Sequence, residues 1–200
     1  MEIKAEYINH MGTDLTVVNA ARVSMNKESD WDLNEEYGLY LSPKDIKLVN
    51  YLATHDHFTP FTHCVVTMRE TVPIFVARQR IKHTVGFSPY GDATDFSYNE
   101  VSRRYVIDPP QFYTPKKWYK KPENNIKQGR SKEFFTDTDH YPATSLNLAY
   151  TTFINEALYL YEHLIDQGVA PEQARMILPQ SMFTSYYATG SLSAWARAYK

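Results

Sequence analysis

The sequence predicts an α+β protein, on three observations. Met1 to Ile8, Phe61 to Val72 and Met182 to Thr189 have strand character. The longest periodic stretch, Ser145 to Gln167, is helical, with Leu146, Ala149, Phe153, Ala157, Leu160 and Leu164 recurring on one side. Neither G-x-G-x-x-G nor G-x-x-x-x-G-K-S/T occurs, so the glycine fingerprints of nucleotide-binding parallel sheets are missing.

In order along the chain, Ile3, Ala5 and Tyr7 alternate with Lys4 and Glu6, giving a first strand. Gly12-Thr13-Asp14 turns into a helix over Leu15 to Val23, with Val17, Val18 and Ala21 inward. Asn26 to Tyr40 is polar and acidic and reads as a loop. Ser42 caps the next helix and Pro43 occupies its first position; Ile46, Leu48, Val49, Tyr51 and Leu52 form its apolar side, and it ends near His55. After the β-branched strand, Pro73 suits a first helical turn, with Ile74, Phe75, Ala77 and Ile81 as its apolar stripe and Gln79, Lys82 and His83 on another face. Lys116 to His140 is polar and reads as a solvated loop. Gly168 stops the long helix, Pro171 to Pro179 forms a short one, and Ser191 to Tyr199 begins the last.

Two hundred residues suit one domain spanning residues 1–200. A net charge of −2 argues against a general nucleic-acid binder, although local basic clusters can hold a small anion. One cysteine excludes an internal disulfide framework and fits a reducing compartment. No leader and no bilayer-length apolar run is visible, so a soluble cytoplasmic protein without membrane contact is expected.

Three places carry chemistry. His55, Asp56, His57 and His63 invite a metal site, and with it a metal-dependent nucleotide phosphohydrolase. Pro60 breaks regular geometry between them and no acidic partner stands at helical spacing, so no metal is expected. Cys64 lies in an apolar strand with no base or cation beside it, which predicts a core thiol rather than a nucleophile. Tyr98 to Tyr105 packs an amide, a carboxylate, a hydroxyl and two guanidiniums into a short run suited to a phosphorylated ligand.

Ser97-Tyr98-Asn99-Glu100-Val101-Ser102-Arg103-Arg104-Tyr105 resembles the second half of the signature R-H-R-x-x-S-x-N-E-x-S-x-R-Y of flavin-dependent (alternative) thymidylate synthases. Lys82-His83-Thr84 stands for its first half, with an insertion at Ser88 to Phe96 between them. His57-Phe58-Thr59-Pro60-Phe61-Thr62-His63 and Ala174-Arg175-Met176-Ile177-Leu178-Pro179 are similar to two further segments of that family.

The resemblance implies a central antiparallel sheet flanked by helices, homotetramers, and reductive methylation of dUMP to dTMP. Methylenetetrahydrofolate would donate the carbon and NADPH the reducing equivalents, through FAD. By the same resemblance Gln79, Glu100, Ser102, Arg103, Arg104 and Arg175 would bind dUMP, with Ser102 and Arg175 assisting its positioning and no covalent nucleophile. His57, Thr59, Lys82, His83, Thr84, Val85, Glu100, Ser191 and Arg197 would contact FAD. Lys82 keeps a charge but loses an arginine's fork, and Thr84 keeps only a hydroxyl, so weaker or differently arranged flavin contact is expected. The family's terminal arginine would fall beyond Lys200, so either the domain is truncated at its C-terminus or that group has been lost. A catalytically silent relative that binds nucleotide is the other alternative.

Overall fold

The computed structural model describes residues 1–36, 38–87, 98–106, 108–122 and 129–199. The Ser88 to Phe96 insertion, Ser97 and Lys200 lie outside the described residues. The fold is α+β, built on an antiparallel sheet flanked by helices. Its residues gather into two compact units, and the chain passes between them inside two of its strands.

The larger unit takes in Ile3–Thr71, Ala77–Glu100 and Ser185–Lys200. Its sheet has four strands in the order β1 (Lys4–Met11), β4 (Val65–Pro73), β6 (Phe183–Ser191), β5 (Tyr98–Glu100). β1 runs antiparallel to β4 from Lys4 opposite Thr71 to Met11 opposite Val65, with a bulge between Tyr7 and Asn9. Hydroxyl pairs link Thr67 to Thr189 at 2.9 Å and Thr71 to Ser185 at 3.1 Å, so β4 and β6 also run in opposite directions. β5 pairs with β6 through Tyr98–Ala188 and Glu100–Tyr186.

Helix α1 (Asp14–Arg22) starts on a reciprocal cap between Thr13 and Thr16 and buries Val17 and Val18. Helix α2 (Pro43–Thr54) has Ser42 as its cap and Pro43 at its start, as the sequence predicts. Val17, Leu52 and Cys64 are buried together, with Ala21, Leu48, Val49 and Phe61 packed against them. Ile46 and Tyr51, expected inward, are 47% and 53% exposed. Their place is taken by Asp45, which is 1% exposed and accepts from Ser42 Oγ at 2.7 Å, Ser29 Oγ at 3.1 Å and Arg22 Nε at 3.1 Å. Burial alone would push its pKa up; the hydrogen bonds from Ser42, Arg22 and Ser29, with the guanidinium charge, outweigh that and hold it below the usual carboxylate range.

β1 runs over Lys4–Met11 rather than Met1 to Ile8, and three further readings change. Asn26 to Tyr40 is not all loop, because β2 (Asp32–Asn34) and β3 (Gly38–Tyr40) pair as a hairpin. Asn34 Oδ1 accepts from the Glu36 amide at 2.8 Å and Gly38 has φ +75°, which together shape its turn. Thr59–His63 coils as a 3₁₀ turn, so β4 begins only at Val65. Pro73 closes β4 instead of opening a helix, and α3 (Ile74–Arg80) follows it.

The smaller unit takes in Met1–Glu2, Val72–Val76 and Val101–Thr184. Its long helix α4 (Ala143–Asp166) buries Ile154, Ala157 and Tyr161. Of the expected stripe only Ala157 is buried; Phe153 and Leu160 are 53% and 44% exposed, so the inward face is rotated. Gly168 at φ +81° ends α4, and α5 (Pro171–Ala174) leads into a 3₁₀ turn at Arg175–Ile177. The described part of Lys116 to His140 is more tied down than a solvated loop. Lys120 Nζ meets Asp139 at 2.7 Å, Arg130 stacks 3.5 Å from the Tyr119 ring centre, and Trp118 Nε1 donates to Asn147 at 2.8 Å.

Candidate functional site

Two groups of candidate residues are assembled, one in each unit. In the larger unit the centre is the turn after α3. The helix winds down through Ile81 N to Ala77 O, Lys82 N to Gln79 O and His83 N to Arg80 O. A tight turn then brings Phe87 N to Thr84 O at 3.0 Å, with Gly86 at φ +79°. Gly86 lies against α6 (Leu192–Tyr199): a Cβ there would sit 2.9 Å from Ala194 Cβ and 3.1 Å from Arg197 Nη2. Gly86 O accepts from Ser191 N at 2.8 Å, and Ser191 Oγ accepts from Ala194 N at 3.2 Å. Arg197 donates to Ser193 Oγ at 2.7 Å and to Val85 O at 3.3 Å. The fold thus brings Val85, Ser191 and Arg197 together.

His83 is half-buried, edge-on to Phe87 at 5.8 Å, and among the described residues its buried Nε2 has no hydrogen-bond partner. Lys82, Thr84 and Gln79 are exposed. His57 and Thr59 flank Phe58, whose ring lies 6.0 Å from the Arg197 guanidinium. Phe58, Phe61, Leu52 and Ala196 wall a cavity of about 290 Å³, with Asp56, Ser193 and Arg197 at its polar side. Glu100 is exposed on β5 beside Tyr98, whose phenol is pushed well up by burial and then by the Glu100 charge and hydrogen bond.

In the smaller unit Tyr105 N and Val106 N both donate to Ser102 O, folding Ser102 to Val106 into a turn. Arg104 Nε donates to Ser102 Oγ at 3.0 Å. Arg103 donates to Asp108 O at 2.6 Å and lies 5.7 Å from the Tyr161 ring centre. Both arginines line a cavity of about 210 Å³, whose other wall includes Pro110, Tyr161, Glu162 and Asp166. Arg175 is exposed and does not line it.

The histidine loop does not assemble a metal site: among the described residues no three His, Cys, Asp or Glu side chains are grouped to hold one. His55 instead stacks on Tyr51 at 4.1 Å and bonds its carbonyl through Nδ1 at 2.9 Å. Cys64 is buried, and its Sγ donates to Thr13 O at 3.4 Å. Burial, then the Asp14 charge, raises its pKa, so the thiol stays protonated at neutral pH. Among the described residues no helix is long and apolar enough to cross a membrane.

Sequence reasoning missed the polar group behind the turn. Glu70 on β4 is buried, accepts from Arg80 Nε at 3.1 Å, and takes a second hydrogen bond from the Tyr186 hydroxyl. The one signal was an acid placed inside an otherwise strand-forming run.

The family model described as thymidylate synthase complementing protein matches residues 6–200. The chain belongs to the flavin-dependent thymidylate synthase family. It is 35% identical over 182 residues to the flavin-dependent thymidylate synthase of Thermosipho africanus, covering 91% of this chain and 69% of that one. It is 35% identical over 184 residues to that of Wolbachia pipientis, of which it spans only 55%. A crystal structure of a UMP/dUMP methylase, PolB from Streptomyces cacaoi bound with 5-Br dUMP, superposes with a TM-score of 0.70 at 28% identity, over 98% of this chain and 75% of that one. Family membership supports flavoprotein thymidylate synthesis, with dUMP and folate chemistry, at the level of the family.

Proposed function

We propose that this chain carries out reductive methylation of dUMP to dTMP, with methylenetetrahydrofolate as carbon donor and NADPH as reductant. The observation that carries the reading is the closure of Lys82–Val85 against α6, where Gly86 leaves no room for a side chain and Arg197 reaches Val85 O. FAD fits the groups gathered there. Lys82 and Arg197 offer cations to a pyrophosphate, and the unpartnered His83 Nε2 and the exposed Thr84 hydroxyl offer hydrogen bonds. His57, Thr59 and Glu100 complete that set, and Ser191 serves it by capping the helix that carries Arg197. Bound FAD would supply the hydride that completes the methyl group.

The chain's own residues bind and orient. Arg104, braced by Ser102, presents a guanidinium to the nucleotide phosphate, and Arg103 and Arg175 add charge. Gln79 and Glu100 hold ribose and base groups. Cys64, buried and protonated, takes no part as a nucleophile, which suits a reaction with no thiolate adduct. The chain acts as one domain in the cytoplasm and as a homotetramer, without nucleic-acid or membrane partners. Arg104→Ala is expected to raise the Kd for dUMP at least tenfold in a calorimetric titration, since it removes a charge-assisted hydrogen bond of about 1.5–3 kcal/mol.

The visible spectrum of protein incubated with FAD and then desalted, with and without dUMP, tests the reading. Retained flavin whose bands move on adding dUMP is the expected result; no retention in either case would overturn it. UMP belongs in the same experiment, because the PolB structure is described as a UMP/dUMP methylase. A nucleotide binder without turnover is the second reading. It is favoured by Lys82 and Thr84 standing where the family signature has arginines, and it predicts the spectral shift without dTMP.

A further inference from the structure

Behind the Lys82–Val85 turn lies a cluster that the reaction does not itself use. The centre of the Arg80 guanidinium lies 4.4 Å from the Phe87 ring centre and 4.9 Å from that of Trp195. The two rings meet edge to face at 4.8 Å. Phe87 is 1% exposed and is seated so tightly that a Cβ on Gly190 would come within 2.5 Å of it. Trp195 is pinned to β4 by Nε1 donating to Val66 O at 3.0 Å. Arg80 is pinned to the same strand by Glu70, whose other oxygen accepts from the Tyr186 hydroxyl.

We propose that Arg80 is a positioning residue: held by Glu70, it clamps Phe87 against Trp195 and so fixes the turn that presents His83 and Val85 to the flavin. This rests on the reading of Lys82–Val85 as flavin-facing. Phe87 N closes a turn onto Thr84 O, directly after Lys82–Val85, and His83 meets the Phe87 ring edge-on. A guanidinium spreads its charge over a plane, so its Nε can hold the carboxylate while its centre stays within cation–π reach of two rings set 76° apart. A lysine's single ammonium would keep the ion pair and lose that reach to both rings. The planar fork, rather than the charge alone, therefore sets where Phe87 rests, and the turn with it.

The test uses the full chain. FAD affinity is measured by fluorescence quenching, and the His83 ring resonances are followed by NMR without flavin, in the wild type, Arg80→Gln, Arg80→Lys and Glu70→Gln. Arg78→Gln, an exposed change on the same helix, is the control. Arg80→Gln is expected to raise the FAD Kd about tenfold, the size of a desolvated cation–π contact, and to shift the His83 resonances. Arg80→Lys is expected to melt close to the wild type yet keep the weakened FAD binding, and Arg78→Gln to change neither. If Arg80→Gln does not fold, Arg80→Lys decides: affinity and His83 shifts equal to wild type would overturn the proposal. Unchanged affinity in Arg80→Gln, against a wild type that binds FAD, would overturn the positioning role alone. A wild type that binds no FAD would overturn the flavin reading and this proposal with it.

Discussion

Asp45 keeps its charge in a place where water cannot reach it, and three neighbours make that tolerable. Ser42, Ser29 and Arg22 converge on its carboxylate, and Arg22 supplies the balancing charge. Asp45→Asn leaves the Arg22 guanidinium without its counter-charge and is expected to cost about 3 kcal/mol in a urea melt. The pH dependence has a definite sign. Because the folded pKa is depressed, the contribution is complete above the unfolded carboxylate value of about 3.9 and is lost as pH falls through the folded one. The stability gap between wild type and Asp45→Asn is therefore expected to narrow in acid and stay constant from mildly acidic to neutral pH. Cys64→Ala is the opposite kind of change. It removes a small buried group, is expected to lower stability by about 1 kcal/mol, and leaves dTMP formation in a steady-state assay unchanged. Cys64 was legible from its apolar neighbours in the sequence. Asp45 was not, because Ser-Pro-Lys-Asp reads as an exposed acid in a helix's first turn and its cation comes from another helix.

At the scale of elements, the helix starts at Thr13 and Ser42 were legible because capping is local chemistry. The run from Thr59 to Pro73 was not. Its β-branched composition spans a coil and a strand, and only the pairing with β1, beginning at Val65 opposite Met11, separates them. The face of α4 was misjudged for a related reason: Ile154, Ala157 and Tyr161 compete with an equally apolar stripe through Phe153 and Leu160. The order of residues in the Lys82–Val85 turn could be recognised, but what holds it could not, since Gly190 and Trp195 arrive from the far end of the chain. Gly190→Ala is expected to destabilise the protein by about 2 kcal/mol, and to reduce flavin retained after desalting, because the new methyl must displace Phe87.

For the molecule as a whole, the chain crosses between its two units inside β4 and again inside β6. Separate melting would require both strands to fray partway along, breaking hydrogen-bonded ladders rather than a linker. One calorimetric transition is therefore expected, with the calorimetric enthalpy equal to the van't Hoff value; two resolved transitions would mean that the units fold independently. The division also sorts the candidate residues. His57, Thr59, Gln79, Lys82 to Val85, Glu100, Ser191 and Arg197 fall in the larger unit, and Ser102, Arg103, Arg104 and Arg175 in the smaller. Sequence order could not show this, since Glu100 and Ser102 are almost adjacent in the chain.

The seating of Phe87 over Gly190 has a consequence for how this sequence can drift. The two positions share one volume, so the alphabet permitted at either depends on the letter at the other. Alanine at 190 should become acceptable once position 87 has shrunk to leucine, a route that passes through a loosened but viable intermediate, whereas the reverse order passes through an overcrowded one. The pair is thus a lock whose two wards must be recut together, and in the order that removes bulk before adding it.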